Sequence, residues 1–421
     1  MQWVKFMLEH LSDSSSILRK VGREKIPEII RIADLFSFDD FYQVKEFERI
    51  NNHDVKSVEL FVAEKLEEIG VPELKSYVHL GCTSEDITNP AYARMIRDAL
   101  DLMWVPQAEM VIDCLAVLAK QYKSTSMLAH THGQPATPTT VGKEMLVYVY
   151  RLRRILSRIK ILKTFAKFNG ATGNYAAISA AFPEKNWPEL SKEFVLDYLE
   201  LDFNPVTTQI ESHDYIVEIG AEMSHFNRVL ANFCSDMWTY ISMEMFKQIV
   251  VKKEVGSSTM PNKVNPINFE NGETNLRKST ADFDFLNEML MSSRMQRDLR
   301  DSTALRNLGP AFGHSYLGIE RTVKGLKRVE VNNQTLEDML NSKWEVLAEE
   351  VQTILRKYGV PDAYFQLKEI TRGKNITKEA LQEFMNSSAL DVVPGEEKQR
   401  LLSMNPEDYY GLAEQIVDDN I

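Results

Sequence analysis

Cysteine is scarce in this sequence of 421 residues, and its scarcity excludes some kinds of site. Cys82, Cys114 and Cys234 are far apart and form no C-x-x-C pair. We therefore expect neither a zinc site nor a disulfide framework, and separate thiols of this kind are typical of the reducing cytoplasm. The sequence also lacks an uninterrupted apolar run of about 18 residues and an N-terminal signal-peptide pattern, so we expect no membrane partner.

Basic residues are fewer than acidic residues in this sequence. The chain has 49 lysines and arginines against 61 acidic residues, which gives a formal net charge of −12. No strongly basic segment offsets this excess, so nucleic acid and anionic membrane surfaces are excluded as main partners. A small anionic substrate is not excluded, because it responds to the charges of a local pocket.

Strand signals are few, and we predict an all-α protein. No G-x-G-x-x-G follows a strand-like run, so nothing indicates a dinucleotide-binding domain. Proline is absent from residues 139–182 and 206–260. Within these intervals, apolar residues follow unbroken 4-3-4-3 spacing over 141–166 and 219–240. This spacing predicts long helices packed at shallow angles in a bundle, the first about 40 Å long.

The length of the chain exceeds what one hydrophobic core usually serves. We predict an N-terminal helical domain over 1–87, a central bundle over 88–325 and a small C-terminal helical domain over 326–421, where the apolar periodicity shortens. Helices as long as those of the bundle require partners along their whole length. We therefore expect the chain to self-assemble through them.

Polar residues concentrate in segments that a simple bundle would not require. These segments are ERINNHDVKSVE (48–59), HLGCTSEDITNP (79–90), HTHGQPATPTTVGKE (130–144), GSSTMPNKVNP (256–266) and SSRMQRDLRDSTALRNL (292–308). The glycine-led segment 256–266 combines serine, proline and lysine, which predicts a loop able to contact an anion.

Most of these segments also have a purely structural explanation. Residues 53–54 suit a helix cap, and residues 83–86 resemble a helix N-terminus with early acids. The histidines of HTHGQP suit a turn before a helix capped by Thr139 or Thr140, and the arginines suit a solvated helix face. A metal site is not expected, because these histidines lack the H-x-x-x-H spacing and have no cysteine partner.

The order of the motifs resembles that of the fumarase/aspartase superfamily of lyases. The superfamily motif is G-S-S-x-M-P-x-K-x-N-P, and the flanking sequence is similar to the bacterial members that act on adenylosuccinate. The matching pieces occur in collinear order over most of the chain: NNHDVKSVE, CTSEDI, THGQPATP, GNYAAISAAFPE, TTQIESHDYI, GSSTMPNKVNPINFEN, RDLRDSTALRNLG and KWEVLAEEVQTILRKYG.

The resemblance implies a β-elimination that releases fumarate from adenylosuccinate, giving AMP, and from its imidazole-carboxamide counterpart SAICAR, giving AICAR. By motif position, Ser257 would be the general base and His132 the general acid at the leaving nitrogen. Glu270 would orient this imidazole through a hydrogen bond. Lys263 would stabilise the charge that develops on the substrate carboxylate. A serine needs activation to act as a base, which loop closure and a nearby positive charge would supply.

The resemblance also implies a set of substrate-binding residues and an assembly. No metal or organic cofactor would be needed, because the substrate carboxylate serves as the electron sink. The expected fold is a three-domain, all-α homotetramer in which three chains share each active site. The residues that would bind the substrate are Asn52, His53, Asp54, Thr83, Ser84, Thr131, Gln209, Ser258, Asn265, Arg297, Ser302 and Arg306.

The sequence departs from the family pattern at two places. The chain begins inside an amphipathic helix, with Trp3, Phe6, Met7 and Leu11 on one side and no capping residue ahead of them. A family segment of about thirty residues, with an Arg-Tyr pair that binds phosphate, would precede this helix. The second departure is Asn262, where the family often has histidine.

Two alternatives remain open from the sequence. One is a sibling lyase acting on argininosuccinate, aspartate or malate, against which the TTQIE and RDxxDST matches argue. The other is a scaffold that has kept the fold and lost its activity, against which the intact set of proton-transfer residues argues.

Overall fold

The computed structural model is predominantly helical, in agreement with the predicted fold class, and describes residues 1–250, 260, 263–363, 365, 367–368, 376–387 and 390–421. Its α-helices are Gln2–His10, Ser16–Val21, Ile26–Asp34, Phe38–Asn51, Asp54–Glu68, Glu85–Ala99, Val105–Gln121, Val141–Ile159, Ala176–Ala181, Trp187–Glu193, Asp214–Ser242, Ile267–Leu290, Arg300–Leu305, Leu308–Leu326, Asn333–Asn341, Ala348–Lys357, Lys378–Asn386, Gly395–Ser403 and Ala413–Asn420. Short 3₁₀ turns cover Arg23–Lys25, Pro72–Tyr77, Trp344–Leu347 and Pro406–Asp408, and π-helical turns cover Leu100–Trp104 and Phe194–Tyr198.

The strands form two-stranded ladders. Strands β1 (Ser126–Thr131) and β2 (Gln134–Thr140) are antiparallel, and the remaining pairs are short: β3 (Phe165–Ala166) with β4 (Asp202–Phe203), and β5 (Phe246–Gln248) with β6 (Val329–Val331). The β1–β2 hairpin was missed from the sequence. Two prolines lie in β2 and a register shift interrupts β1, and both features mask the alternation by which strands are recognised.

The helix predicted over 219–240 is confirmed. The apolar residues of 219–240 all lie on helix Asp214–Ser242, which has 29 residues and is roughly 43 Å long at 1.5 Å per residue. Ile219, Met223, Phe226, Leu230, Phe233 and Met237 are buried. Their 3.5-residue spacing therefore marks the buried face of this helix.

The helix predicted over 141–166 is shorter than expected and ends at Ile159 after 19 residues. The backbone beyond it is bound by other segments. Thr164 accepts a hydrogen bond from the Asp202 amide, and Ala166 accepts one from the Asn204 amide. Tertiary pairing of these peptide groups overrides the helical pattern of the side chains.

The described chain divides into two compact units. The first comprises Met1–Trp104, Ile159–Glu222 and Asp282–Pro310, and the second comprises Val105–Arg158, Met223–Ala281 and Ala311–Ile421. These boundaries differ from residues 87 and 325, and the three-domain division stays a proposal.

An aromatic core stabilises the start of the first unit. Trp3, Phe6, Met7 and Leu11 are buried as predicted. The Trp3 ring lies 4.5 Å from Phe168 and 5.5 Å from Phe6, measured between centroids. The amphipathic pattern at residues 2–11 therefore identified a true core helix.

The short C-terminal helices of the second unit enclose their own hydrophobic core. Leu340, Trp344, Val351 and Leu381 are among its buried members. Leu128 from strand β1 belongs to the same cluster and is 1% exposed. This leucine anchors the base of the β1–β2 hairpin in the C-terminal core.

One stretch of the described chain is apolar enough to cross a membrane by length and composition. It lies in the helical run Glu85–Gln121 and has a mean hydropathy of 1.5. Helices in protein cores meet the same length and composition criteria, and 44% of this window is buried inside the protein.

Candidate active site

The β1–β2 hairpin places the predicted acid at its tip. Thr131 pairs with Gln134, so His132 and Gly133 form a two-residue turn. Both have positive φ, 54° for the histidine and 72° for the glycine. This is the type I′ geometry that fits the twist of a hairpin, and it is uncommon for residues other than glycine and asparagine. The turn predicted from HTHGQP is confirmed, and it leaves the His132 side chain exposed.

The base of the hairpin is fixed on two sides. Thr140 caps the following helix by accepting a hydrogen bond from the Lys143 amide at 3.2 Å, as one structural explanation predicts. On the other strand face, the Thr137 hydroxyl donates a hydrogen bond to Glu349. Together with the buried Leu128, these contacts hold the strands while the tip projects into solvent.

A cavity of about 700 Å³ lies beside the hairpin in the second unit. His130 and Thr131 line it from β1, and Lys143, Glu144 and Tyr240 line it from two helices. The lysine ammonium lies 3.0 Å from the glutamate carboxylate. The lining therefore includes charged side chains as well as Thr131, a predicted substrate-binding residue.

Glu270, the predicted partner of His132, lies in the first turn of helix Ile267–Leu290 and is exposed. Its carboxylate accepts a hydrogen bond from the Trp238 indole N–H at 3.1 Å. Within the described part of a single chain, no hydrogen bond joins Glu270 to His132. The carboxylate–imidazole pair stays a proposal.

The loop 256–266 is described only in part. Ser257, Ser258 and Asn262 lie outside the described residues. Lys263 is exposed, and its amide donates a hydrogen bond to the Met260 carbonyl at 3.2 Å. Asn265 is half-buried. The roles assigned to these residues stay predictions.

The first unit brings together two of the predicted substrate-binding residues, Arg297 and Gln209. The Arg297 guanidinium donates to Glu85 at 2.8 Å through Nη2 and to Gln209 at 3.4 Å through Nη1. Its Nε lies 3.7 Å from the Asp301 carboxylate. The Arg297 side chain is 15% exposed, so its orientation is set by these partners.

Ser302 and Arg306 lie at the short helix Arg300–Leu305 close to this arginine in the sequence. The Ser302 amide donates to its neighbour Asp301 at 2.7 Å, and Arg306, which follows the helix, is exposed. Asp301 is also 3.5 Å from the buried ring of His213. The segment that contains Arg297 is therefore held by a buried imidazole that the sequence did not single out.

Thr83 and Ser84 precede helix Glu85–Ala99 and are half-buried, as the helix-start explanation predicts. The Thr83 amide donates to the Asp86 carboxylate at 2.8 Å. Asp86 in turn forms an ion pair with Lys167 at 3.0 Å, with both side chains fully buried. A lone lysine within the otherwise apolar run FAKF was the signal that sequence reasoning overlooked.

Asn52, His53 and Asp54 form the junction between two helices. Asn52 ends helix Phe38–Asn51 with φ of 54°, and His53 caps helix Asp54–Glu68 by accepting the Lys56 amide at 3.3 Å. The capping explanation is confirmed. All three junction residues are exposed, and their contact with substrate stays a proposal.

Burial alters the acidity of three carboxyl groups in the first unit, two of which contact Arg297. It raises the pKa of Glu85, against the opposing charge of Arg297, and it raises the pKa of Glu211. Burial would also raise the pKa of Asp301, but the hydrogen bond from His213 and the charge of Arg297 hold it below its usual value. The pKa values of Glu85 and Asp301, which both lie within 4 Å of the Arg297 guanidinium, are therefore shifted in opposite directions.

Known proteins resemble this chain over its whole length. A family described as Lyase matches residues 2–278, and a family described as Adenylosuccinate lyase C-terminal matches residues 293–410. Adenylosuccinate lyase of Vibrio cholerae is 46% identical over 92% of this chain and 84% of its own length. The Escherichia coli K12 protein of that name has the same identity and coverage, and the Buchnera aphidicola protein is 41% identical over 99% of this chain and 91% of its own.

Solved structures confirm the fold. A 3-carboxy-cis,cis-muconate lactonizing enzyme from Pseudomonas putida has a TM-score of 0.75 at 20% identity, covering all of this chain and 91% of its own. A fumarate lyase from Mesorhizobium sp. BNC1 has the same score and identity, covering 99% and 93%. The solved structures show the fold, whereas the family matches and the 41–46% identity to adenylosuccinate lyases identify the family within it. The chain belongs to the adenylosuccinate lyase family within the fumarase/aspartase superfamily of lyases.

Proposed function

We propose that this chain cleaves adenylosuccinate to AMP and fumarate, and SAICAR to AICAR and fumarate, in purine nucleotide biosynthesis. The observation that carries the proposal is the 46% identity to adenylosuccinate lyases over 92% of the chain. The chain also matches the lyase family over residues 2–278 and the C-terminal region of adenylosuccinate lyases over residues 293–410. We assign the enzyme to the cytoplasm, where its free cysteines would remain reduced.

His132 is our candidate for the general acid. A left-handed residue at a hairpin tip projects its side chain away from both strands, so the imidazole can reach a substrate bound to another subunit. The reaction requires proton donation to the departing nitrogen of AMP while the C–N bond breaks. Glu270 of a neighbouring subunit would orient the ring and favour its protonated form.

Ser257 is our candidate for the base that removes the β-proton. Loop closure would exclude water, and the Lys263 ammonium would stabilise both the deprotonated hydroxyl and the charge that builds up on the substrate carboxylate. Ser258 and Asn265 of the same loop would bind that carboxylate with Thr83 and Ser84. No metal or organic cofactor takes part in this scheme.

Arg297 is the anchor of the proposed nucleotide site. Glu85 accepts a hydrogen bond from one N–H of Nη2, and Gln209 accepts one from an N–H of Nη1. Each of these nitrogens has a second N–H, which we assign to the substrate phosphate in a forked contact. Ser302 and Arg306 would complete this contact. Asn52, His53 and Asp54 would approach from the opposite side of the substrate, and Thr131 would bind it beside His132.

The functional molecule in this proposal is a homotetramer whose active sites each combine three subunits. The 29-residue helix Asp214–Ser242 is long enough to form an extended bundle interface. An exposed His132 without a hydrogen-bonded Glu270 in its own chain also fits a site completed by other copies.

A fumarate-release assay tests the proposal. We expect His132→Ala and Ser257→Ala to abolish turnover of adenylosuccinate while the oligomer stays intact. Mixing the two inactive variants should restore part of the activity, because some mixed sites receive an intact histidine from one subunit and an intact serine from another.

Three results would count against the proposal. Near-normal turnover by either single variant would overturn its assigned role. Turnover of argininosuccinate or aspartate in place of adenylosuccinate would assign the chain to a sibling lyase. A folded tetramer without fumarate release from any of them would identify a scaffold.

A further inference from the structure

A fully buried ion pair connects the loops that surround the proposed substrate site in the first unit. The Lys167 ammonium lies 3.0 Å from the Asp86 carboxylate, and neither side chain has any exposed surface. Removing both charges from water is costly, and burial lowers the pKa of Lys167. A buried pair of this kind is weak evidence for stability by itself, so its contacts indicate its role.

The lysine uses all three of its N–H groups. Besides the carboxylate of Asp86, its ammonium donates to the Gly170 carbonyl at 2.9 Å and to the Gln209 carbonyl at 2.8 Å. An ammonium group has three donors, so none remains for a substrate. Lys167 therefore acts on the segments that it joins.

The aspartate is equally saturated with donors. Its oxygens accept the Thr83 amide at 2.8 Å, the Asn169 amide at 3.0 Å and the Gly170 amide at 3.1 Å. These bonds fix the backbone immediately before helix Glu85–Ala99 to the turn at 169–170. A fully satisfied buried network of this kind holds its members in one arrangement.

We propose that Lys167 and Asp86 are positioning residues that hold the Thr83–Ser84 segment and Gln209 at the spacing required by the two ends of the substrate. Thr83 is tied to the pair through its amide, and Gln209 through its carbonyl. This inference rests on the proposed function, in which Thr83 and Ser84 bind a substrate carboxylate and Gln209 helps to orient Arg297, the anchor of the nucleotide site.

Asp86→Asn tests the proposal with little change of volume. An asparagine that accepts from Lys167 through its oxygen turns its NH₂ group toward the Thr83 and Gly170 amides, and donors then face donors. We expect KM for adenylosuccinate to rise about tenfold while kcat changes less than about threefold. A tenfold rise is the effect expected when misalignment of the site weakens substrate binding by about one charge-assisted hydrogen bond. The dissociation constant for fumarate should rise by a similar factor.

Tyr198→Phe is the matched control. The Tyr198 hydroxyl belongs to a network with Glu9 and His10 in the same unit. Its loss removes partly buried hydrogen bonds without touching the substrate loops, so we expect unchanged KM and unchanged fumarate binding. If Asp86→Asn fails to fold, the double variant Asp86→Asn/Lys167→Gln removes both buried charges together and should show the same rise in KM.

Several outcomes would overturn the positioning role. Unchanged KM and fumarate binding in a folded variant with the wild-type oligomeric state would do so, as would a fall in kcat alone. An equal rise of KM in Tyr198→Phe would show that any loss of stability has this effect. A wild-type chain that neither turns over adenylosuccinate nor binds fumarate would overturn the proposed function as well, which distinguishes the two failures.

Discussion

The turn that presents His132 can be tested through the glycine beside it. Gly133 has φ of 72°, and no atom lies within 4 Å of the position that a Cβ would occupy. A Gly133→Ala substitution therefore meets no steric clash, and its cost is that of placing an L-residue in the left-handed region, about 1–2 kcal/mol. This cost shifts the equilibrium between the type I′ turn and other turn geometries toward the latter by a factor of roughly 5 to 30.

Activity should respond far more strongly than stability. A changed turn displaces the imidazole, and a misplacement of about 1 Å can reduce a rate about 100-fold. We expect kcat for fumarate release to fall at least tenfold, while Tm falls by no more than about 4 °C. Steady-state absorbance assays and thermal unfolding by circular dichroism measure the two effects.

Gly359 supplies the matched control in the same unit. It has φ of 74°, is exposed, and also has open space within 4 Å of the point where an added Cβ would lie. Gly359→Ala should lower Tm by a similar amount and leave kcat unchanged. Gly133→Asn should retain more activity than Gly133→Ala, because asparagine tolerates the left-handed region despite its larger size. Near-normal kcat in Gly133→Ala, or the opposite order of asparagine and alanine, would refute the reasoning.

Two further predictions concern stability. Burial raises the pKa of Glu211 above 4.5, so the folded state binds more protons than the unfolded state between the two pKa values, and the free energy of unfolding falls as pH rises through that window. Glu211→Gln should therefore be less destabilising at about pH 8 than at about pH 5, and a penalty that grows with pH would contradict this sign. Leu128→Ala leaves a cavity in the C-terminal core and should cost about 2–5 kcal/mol in chemical denaturation. An effect below about 1 kcal/mol would show that the hairpin is not anchored there.

The sequence predicted the helical fold and several local structures correctly because their causes are local. Apolar spacing marked the buried faces of helices Gln2–His10 and Asp214–Ser242. Capping chemistry marked the helix start at His53 and the cap at Thr140. In each case the determining residues lie within a few positions of one another.

Other features were hidden because distant segments produce them. The helix that begins at Val141 ends at Ile159 because residues 164–166 bind the backbone of 202–204. The hairpin around His132 exists despite the prolines of β2, since a C-terminal core holds its base at Leu128.

The candidate site divides in the same way. Motif order alone identified Ser257, His132, Lys263 and Glu270 as the proposed chemical groups. Only the tertiary structure supplied the φ of 54° at His132, the fixed guanidinium of Arg297 and the Lys167–Asp86 pair. The physical reason is that a motif records which side chains are present, whereas orientation and burial depend on backbone groups from segments far away in the chain.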